Sequence, residues 1–538
     1  MNRRSLSTVL GIVALSISPL FAHELSTATS NAPSSELTQN IDAYFADYWA
    51  KSNVSVSPVC SDREIVRRAY LDLVGRIPTL QETEAFLADS REQKRQLLFD
   101  SLLSSSEFGE HFSNVFTVVL LGPTPKQSRR NRSVNREAHG WREYLAESFN
   151  SGRPWNQMAR DMTLARHTPG TDVRGGWYLY ERRNDHQAIA ESIAPNFFGI
   201  QIQCAQCHDH PLADEIKQAH YWGLVAFFKR GKNENTKAGP RVVESAIGGF
   251  DKFSDLVGDS FDTELTFFDS PIVEEARPDG EQTDSEEFYT SVAKSNEPRV
   301  PKFSRRERFV DVILKNDRMI ARAFVNKLWA LLIGRGFVHP VDQMDSQHPA
   351  SHPKLLDRLT DAFIESNFNI KELAAAIVRS QCYQLHSVPS DNSLTPDSFA
   401  YGLEKPLIAE SYLRSMSIAI HGRDAEVNKE LLNDFRQRFS QVFPEVITSD
   451  LKDSLYLTNN REFLDYISSV NDGTIANLLE SQSSDRVDML FKIVFGRPPD
   501  NDELAAARRF LDNKSDPADA LTQLLWAMLT SAEFRFNH

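Results

Sequence analysis

The hexapeptide Leu73-Val74-Gly75-Arg76-Ile77-Pro78 returns near the other end of the chain as Val494-Phe495-Gly496-Arg497-Pro498-Pro499, and it constrains the fold more than any other feature. Glycine ends a helix because it adopts left-handed backbone without a Cβ penalty, and proline shortly after it suits the first turn of the next helix. The echo continues beyond the turn. Glu82 is matched by Glu503, and Leu103-Ser104-Ser105-Ser106-Glu107-Phe108 by Leu529-Thr530-Ser531-Ala532-Glu533-Phe534. Agreement at that distance predicts one helical unit used at both ends of the chain, and a weaker third copy starts at Ile333-Gly334-Arg335. With about 420 residues between the two clear copies, the chain is no solenoid, whose repeats follow one another every 20–50 residues.

Ser61-Asp62-Arg63-Glu64 and Thr79-Leu80-Gln81-Glu82 have capping-box spacing, in which hydroxyl and carboxylate satisfy the first free amides of a helix. Ile65, Ala69 and Leu73 follow the first at helical spacing, Phe86 and Leu87 the second. The texture changes between residues 241 and 300. Thr263, Leu265 and Phe267 alternate with Glu264, Thr266 and Phe268 among turn formers such as Gly248-Gly249 and Pro278-Asp279-Gly280. The expected fold is therefore mainly α: a helical domain over 36–240, a small β-rich insert and acidic linker over 241–300, and a second helical domain over 301–538.

Met1-Asn2-Arg3-Arg4, the apolar stretch Leu6 to Phe21 and the small residue Ala22 predict a secretory leader over residues 1–22. That stretch is interrupted by serines and Pro19 and falls short of the ~20 residues of a membrane span. No later segment spans either, so the expected location is periplasmic, or secreted to the cell surface. The net charge of -14 argues against nucleic acid as a partner. Residues 251 to 300 hold 14 of the acids against 4 bases, which reads as a solvated linker.

The sharpest chemical feature is Cys204-Ala205-Gln206-Cys207-His208 in a chain with four cysteines. In c-type haem attachment two thiols three residues apart bond the vinyl groups, and the next histidine ligates the iron from the same side. That assembly is made outside the cytoplasm, in accord with the leader. Two other chemistries use the same residues: zinc held by Cys204, Cys207, His208 and either His210 or Asp214, and a Cys204–Cys207 redox disulfide. For a second axial ligand, His210 is too close in sequence to reach the opposite haem face. His220 falls in a stripe with Ile216, Leu224 and Phe227, and Met344, His348 and His352 share one loop. A lone histidine in an apolar stripe is usually a core residue, and a loop rich in donors is usually structural. Cys60 and Cys382 are expected either to pair or to be buried free thiols.

Phe197 to Pro211, the segment His220-Tyr221-Trp222-Gly223-Leu224-Val225-Ala226-Phe227-Phe228, and Arg67-Arg68-Ala69-Tyr70-Leu71-Asp72-Leu73-Val74-Gly75 resemble the first of two paired domains of unknown function abundant in exported planctomycete proteins. Ser304-Arg305-Arg306-Glu307, Ala323-Phe324-Val325-Asn326-Lys327-Leu328-Trp329 with Gly334-Arg335-Gly336, and Ser351-His352-Pro353 resemble the second. The resemblance implies architecture and an exported location, and the first domain's frequent company of cytochrome c-like modules accords with haem. It implies no reaction and no catalytic residue.

Gly-x-Ser-x-Gly, phosphate-binding glycine loops, His-Glu-x-x-His and dinucleotide fingerprints are absent from the sequence. The leading expectation is an exported haem c protein with a redox partner. The alternative is a metal- or disulfide-stabilised scaffold that binds a partner protein or a cell-surface polymer. A hydrolase acting on such a polymer is a third class, for which the sequence offers no residues.

Overall fold

A computed structural model of the chain describes residues 33–538 apart from 124–135, 137, 167–170, 237–238, 291–297, 316, 426–428, 446–450, 469–472 and 483–484. The leader expected over residues 1–22 lies outside the described residues. The described fold is mainly helical, with three small two-stranded sheets.

Both clear copies of the repeat form the same unit. In the first, helix Asp62–Leu73 leads through Gly75 to Leu80–Ala88, Lys94–Ser104 and Ser106–Leu121. In the second, Arg486–Val494 leads through Gly496 to Asn501–Asp512, Pro517–Leu529 and Ala532–Arg535. Gly75 and Gly496 take the same left-handed backbone, with φ of 70° and 73°. The arginine that follows each glycine ties the unit together. Arg76 donates to Glu82 (2.9 Å) and Glu107 (2.7 Å), and Arg497 to Glu503 (2.7 Å) and Glu533 (2.6 Å). Glu82 and Glu503 also close capping boxes with Thr79 and Asp500. One guanidinium thus fixes the start of the helix after the turn and the start of the last helix of the unit.

The third copy keeps helices without that tie. Asp317–Ile333 ends at Gly334, and Pro353–Glu365 and Ile370–Arg379 follow, but Arg335 pairs with Asp397. The three copies meet on helix Asp62–Leu73. Its neighbouring buried arginines reach into the other two copies: Arg67 donates to Val494 O of the second (3.0 Å), and Arg68 to Leu385 O just beyond the third (2.8 Å) and to His538 O (3.3 Å).

Apolar packing runs across residue 301. One cluster joins Leu37 through Phe267 with Phe309 through Ile408; the other gathers Leu407 through Phe534 and takes in Leu71 and Ile77 from the first repeat. The β-rich segment begins at Gly231, ten residues earlier than the sequence pattern indicates, because Gly231–Thr236 pairs antiparallel with Gly239–Glu244. Lys252–Ser254 pairs with Ser260–Asp262. The alternating run 263–268 forms a single bridge, Leu265 to Val273, and its Leu265, Thr266 and Phe267 are all buried.

The acidic segment is not wholly solvated. Glu275 accepts from Arg230 (2.8 Å) and Arg305 (2.7 Å), and the buried Glu244 that closes the first hairpin faces Arg306 (3.5 Å) and Arg166 (4.0 Å). Buried guanidinium groups require such partners, since removing one side leaves an uncompensated charge. These two carboxylates clamp the insert to the helices around it.

Candidate functional site

The segment carrying the two thiols begins where a single π turn, Ala194–Phe198, ends at Gly199 with φ 71°. Buried Ile202 precedes a short 3-10 turn, Gln203–Gln206, in which Ala205 is fully buried while Cys204 and Cys207 face solvent as free thiols. Ala205 is the plug and the cysteines are presented on either side of it. The turn is pinned from outside. Trp222 Nε1 (3.1 Å) and Gln218 Nε2 (3.2 Å) both donate to Gln206 O, and Gln218 Nε2 also donates to Ser254 O (3.0 Å) of the Lys252–Ser254 hairpin. That hairpin carries Leu256, Val257 and Phe261, all exposed.

The hydrogen bonds of each histidine decide which ring nitrogen is free to accept a metal. His208 Nδ1 lies 2.7 Å from Asp209 O, a pure acceptor, so Nδ1 carries the proton and Nε2 the open lone pair. His348 has the same arrangement, with Nδ1 donating to the Asp345 carboxylate at 2.8 Å. His210 is the reverse: its Nδ1 accepts from the amides of Leu212 (3.3 Å) and Ala213 (2.9 Å), which places the proton on Nε2. His220 Nδ1 likewise accepts from Lys217 N (3.4 Å) at the start of helix Gln218–Phe228. Ile216 precedes that helix, so the expected stripe starts one turn later. Burial lowers the pKa of His220, whose ring lies against Phe268.

His352 is removed from the candidates by its surroundings. It is 2% exposed, Nε2 donates to Asp397 O (2.8 Å), and Nδ1 accepts from Tyr44 Oη (3.3 Å). Phe45, Tyr48 and Phe399 pack around the ring, and burial holds it towards the neutral form. The rest of its loop does reach the thiol segment. Met344 N donates to Gly199 O (2.8 Å), and a Cβ on Gly199 would stand 2.7 Å from Met344 Sδ, so glycine is required there for a second reason. Gln201 donates to Asp342. Ser346 N and Oγ both donate to Glu215, and Gln347 Nε2 donates to Leu212 O (2.8 Å). The structure therefore gathers Cys204, Cys207, His208, Met344 and His348 onto one pair of stapled loops. Asp345 and Glu215, which orient these groups, were missed because single acids carry no local signature.

Among the described residues no three His, Cys, Asp or Glu side chains converge as a ready-made metal site. Asp209 instead accepts from Gln218 N (2.8 Å) and pairs with Lys217. Cys60 and Cys382 are buried free thiols. Burial raises the pKa of both, that of Cys382 to about 12. The junction they occupy is joined by backbone, with Cys60 N donating to Gln384 O (2.9 Å).

No described helix is long and apolar enough to cross a membrane. No curated protein and no solved structure matches the chain. Two family models do. "Protein of unknown function (DUF1549)", also called PSCyt2, matches residues 40–233, and "Protein of unknown function (DUF1553)", also called PSD1, matches 305–424. The first contains Arg67, Arg68 and the whole Cys204 to His220 segment; the second contains Lys327, Met344 and His348. The chain therefore belongs to the proteins in which a DUF1549 domain is followed by a DUF1553 domain.

Proposed function

We propose that the chain is exported and carries haem c on Cys204, Cys207 and His208, exchanging electrons with a partner protein. The observation that carries this reading is the pairing of two exposed, unpaired thiols on one turn with a histidine whose Nε2 lone pair is left open by its own backbone contact. In this chemistry the thiols bond carbon and not metal, so it does not ask the cysteines to converge on one point. Zinc does ask that of its ligands. The bound group would supply one-electron redox chemistry. The chain's own part is to hold the thiols apart across Ala205, fix the His208 tautomer, and offer an apolar surface on Leu212, Leu256, Val257 and Phe261.

His348 is the residue best prepared as the second axial ligand. It alone among the other candidate imidazoles has an open Nε2, and Asp345 behind it is the carboxylate partner typical of ligating histidines. The test is expression in a host with c-type maturation, followed by haem staining of the denatured protein and absorption spectroscopy. Covalent stain and a Soret band are expected, and both should vanish in Cys204→Ala/Cys207→Ala. His348→Ala should keep the stain and lose the low-spin spectrum, whereas His220→Ala should keep both. No stain in the wild type would overturn the haem reading in favour of a scaffold held by metal or disulfide, with metal analysis separating those two.

A further inference from the structure

A second polar site lies behind the loop that carries Met344. Lys327, on helix Asp317–Ile333, is 3% exposed, and its Nζ donates to Pro195 O at 2.7 Å. That carbonyl is available because the π turn commits Ala194 O to the amides of Gly199 and Ile200. Lys327 makes no ion pair among the described residues. The contrast is the partly buried Lys405, whose Nζ lies 2.6 and 2.7 Å from the two oxygens of Asp72. A buried ammonium whose hydrogen bond goes to a neutral carbonyl is costly even with the Asp342 carboxylate near enough to offset part of the burial, and proteins keep such groups where a ligand completes them. Burial brings the Lys327 pKa down to about 8.

Lys327 and the Pro195 that its Nζ bonds both line a cavity of about 330 Å³. Asp342 and Glu445 line the same space, together with Val118, Val341 and Phe443. One cation and two anions on an otherwise largely apolar lining suit a ligand that carries both charges and an apolar part. We propose that this cavity binds a free α-amino acid with an apolar side chain, its carboxylate on Lys327 and its ammonium towards Asp342 and Glu445. The volume is at the lower end for small-molecule sites, which run from about 300 Å³ upwards. Asp342 also accepts from Gln201, three residues before Cys204, so the cavity shares a wall residue with the thiol loop.

The probes are leucine, 4-methylpentanoate, which lacks the ammonium, and isoamylamine, which lacks the carboxylate, titrated calorimetrically into the full chain. Leucine is expected to bind at least tenfold more tightly than either half-molecule, and more weakly as the pH rises past about 8 and Lys327 loses its proton. Lys327→Met should abolish leucine binding and raise the melting temperature of the unliganded protein, because a deeply buried ammonium hydrogen-bonded only to a carbonyl gives way to an apolar chain of similar length. In the wild type, leucine should also shield Lys327 from acylation read by mass spectrometry, a measurement that needs no variant. Absence of leucine binding, unchanged acylation, or equal binding by Lys327→Met would each overturn the proposal, as would a lowered melting temperature, which would make Lys327 a structural residue.

Discussion

Alanine at Gly75 and alanine at Gly496 should differ in cost, although the two glycines occupy the same place in the repeat and have φ within a few degrees of each other. At Gly496 a Cβ meets nothing within 4 Å. The penalty there is the left-handed backbone alone, about 1–2 kcal/mol, offset in part by the ~0.4–1 kcal/mol gained from a stiffer unfolded chain. At Gly75 the same Cβ would stand 2.2 Å from Nδ1 and 2.7 Å from Cγ of His111. That ring is buried beside Phe112, and burial pushes its pKa down to about 3, so it sits as a neutral wedge in the path of the added carbon. Overpacking of this kind adds about 1–3 kcal/mol. Urea denaturation followed by far-UV circular dichroism and tryptophan fluorescence should therefore rank Gly75→Ala below Gly496→Ala by that margin. His111→Ala is costly alone but should be partly compensated in the Gly75→Ala background, giving a coupling of about 1–3 kcal/mol in the double-mutant cycle. Equal losses at the two glycines, or strict additivity with His111→Ala, would refute the assignment of the difference to this ring.

Thiol titration of the haem-free native protein at pH 8 should count two reactive cysteines, Cys204 and Cys207, with Cys60 and Cys382 reacting only after denaturation, since burial raises both of the latter. A native count of four would show that the junction at Cys60 is open. The acid limb of stability should reflect the arginine ties. Burial works to raise Glu82 and Glu107, but hydrogen bonds from Arg76 outweigh it and hold both carboxyls below the usual range, and Arg497 does the same for Glu503. Depressed carboxyls stabilise fully above their unfolded value of about 4.3 and lose that contribution as the pH falls through the lower folded value. Arg497→Met should flatten this limb in acid titrations of melting temperature, and an unchanged limb would remove the tie from the account.

What could be read from the sequence was local. Gly75, Thr79 and Glu82 lie within eight residues of one another, and their caps, turn and repeat were all legible. The partner of Arg76 thirty-one residues on, Glu107, was visible only as part of the echo. Glu244 and Glu275 were indistinguishable from the exposed acids around them because their arginines lie 30 residues or more away. The histidines divide in the same way. Residue type and spacing pointed to His208, His210, His220, His348 and His352 as candidates for different reasons, yet the ring nitrogen left open depends on whether the neighbour is an amide, a carbonyl or a carboxylate. Lys327 stood within a recognisable motif, but nothing in its neighbours along the chain indicated a buried ammonium beside a cavity.

The helix Asp62–Leu73 places Leu71, and the turn after it Ile77, in the core built from residues 407–534. During synthesis those two side chains wait for more than three hundred residues before their neighbours exist, and Arg67 waits longer still for the carbonyl of Val494. Domains usually close in the order they are made. Here Leu71, Ile77 and Arg67 gain their neighbours only after the last unit has emerged, so the seam between the two ends closes late even though much of the first unit's own core can form earlier. A fragment cut at the insert would expose an apolar seam together with Arg67, a buried arginine stripped of its acceptors.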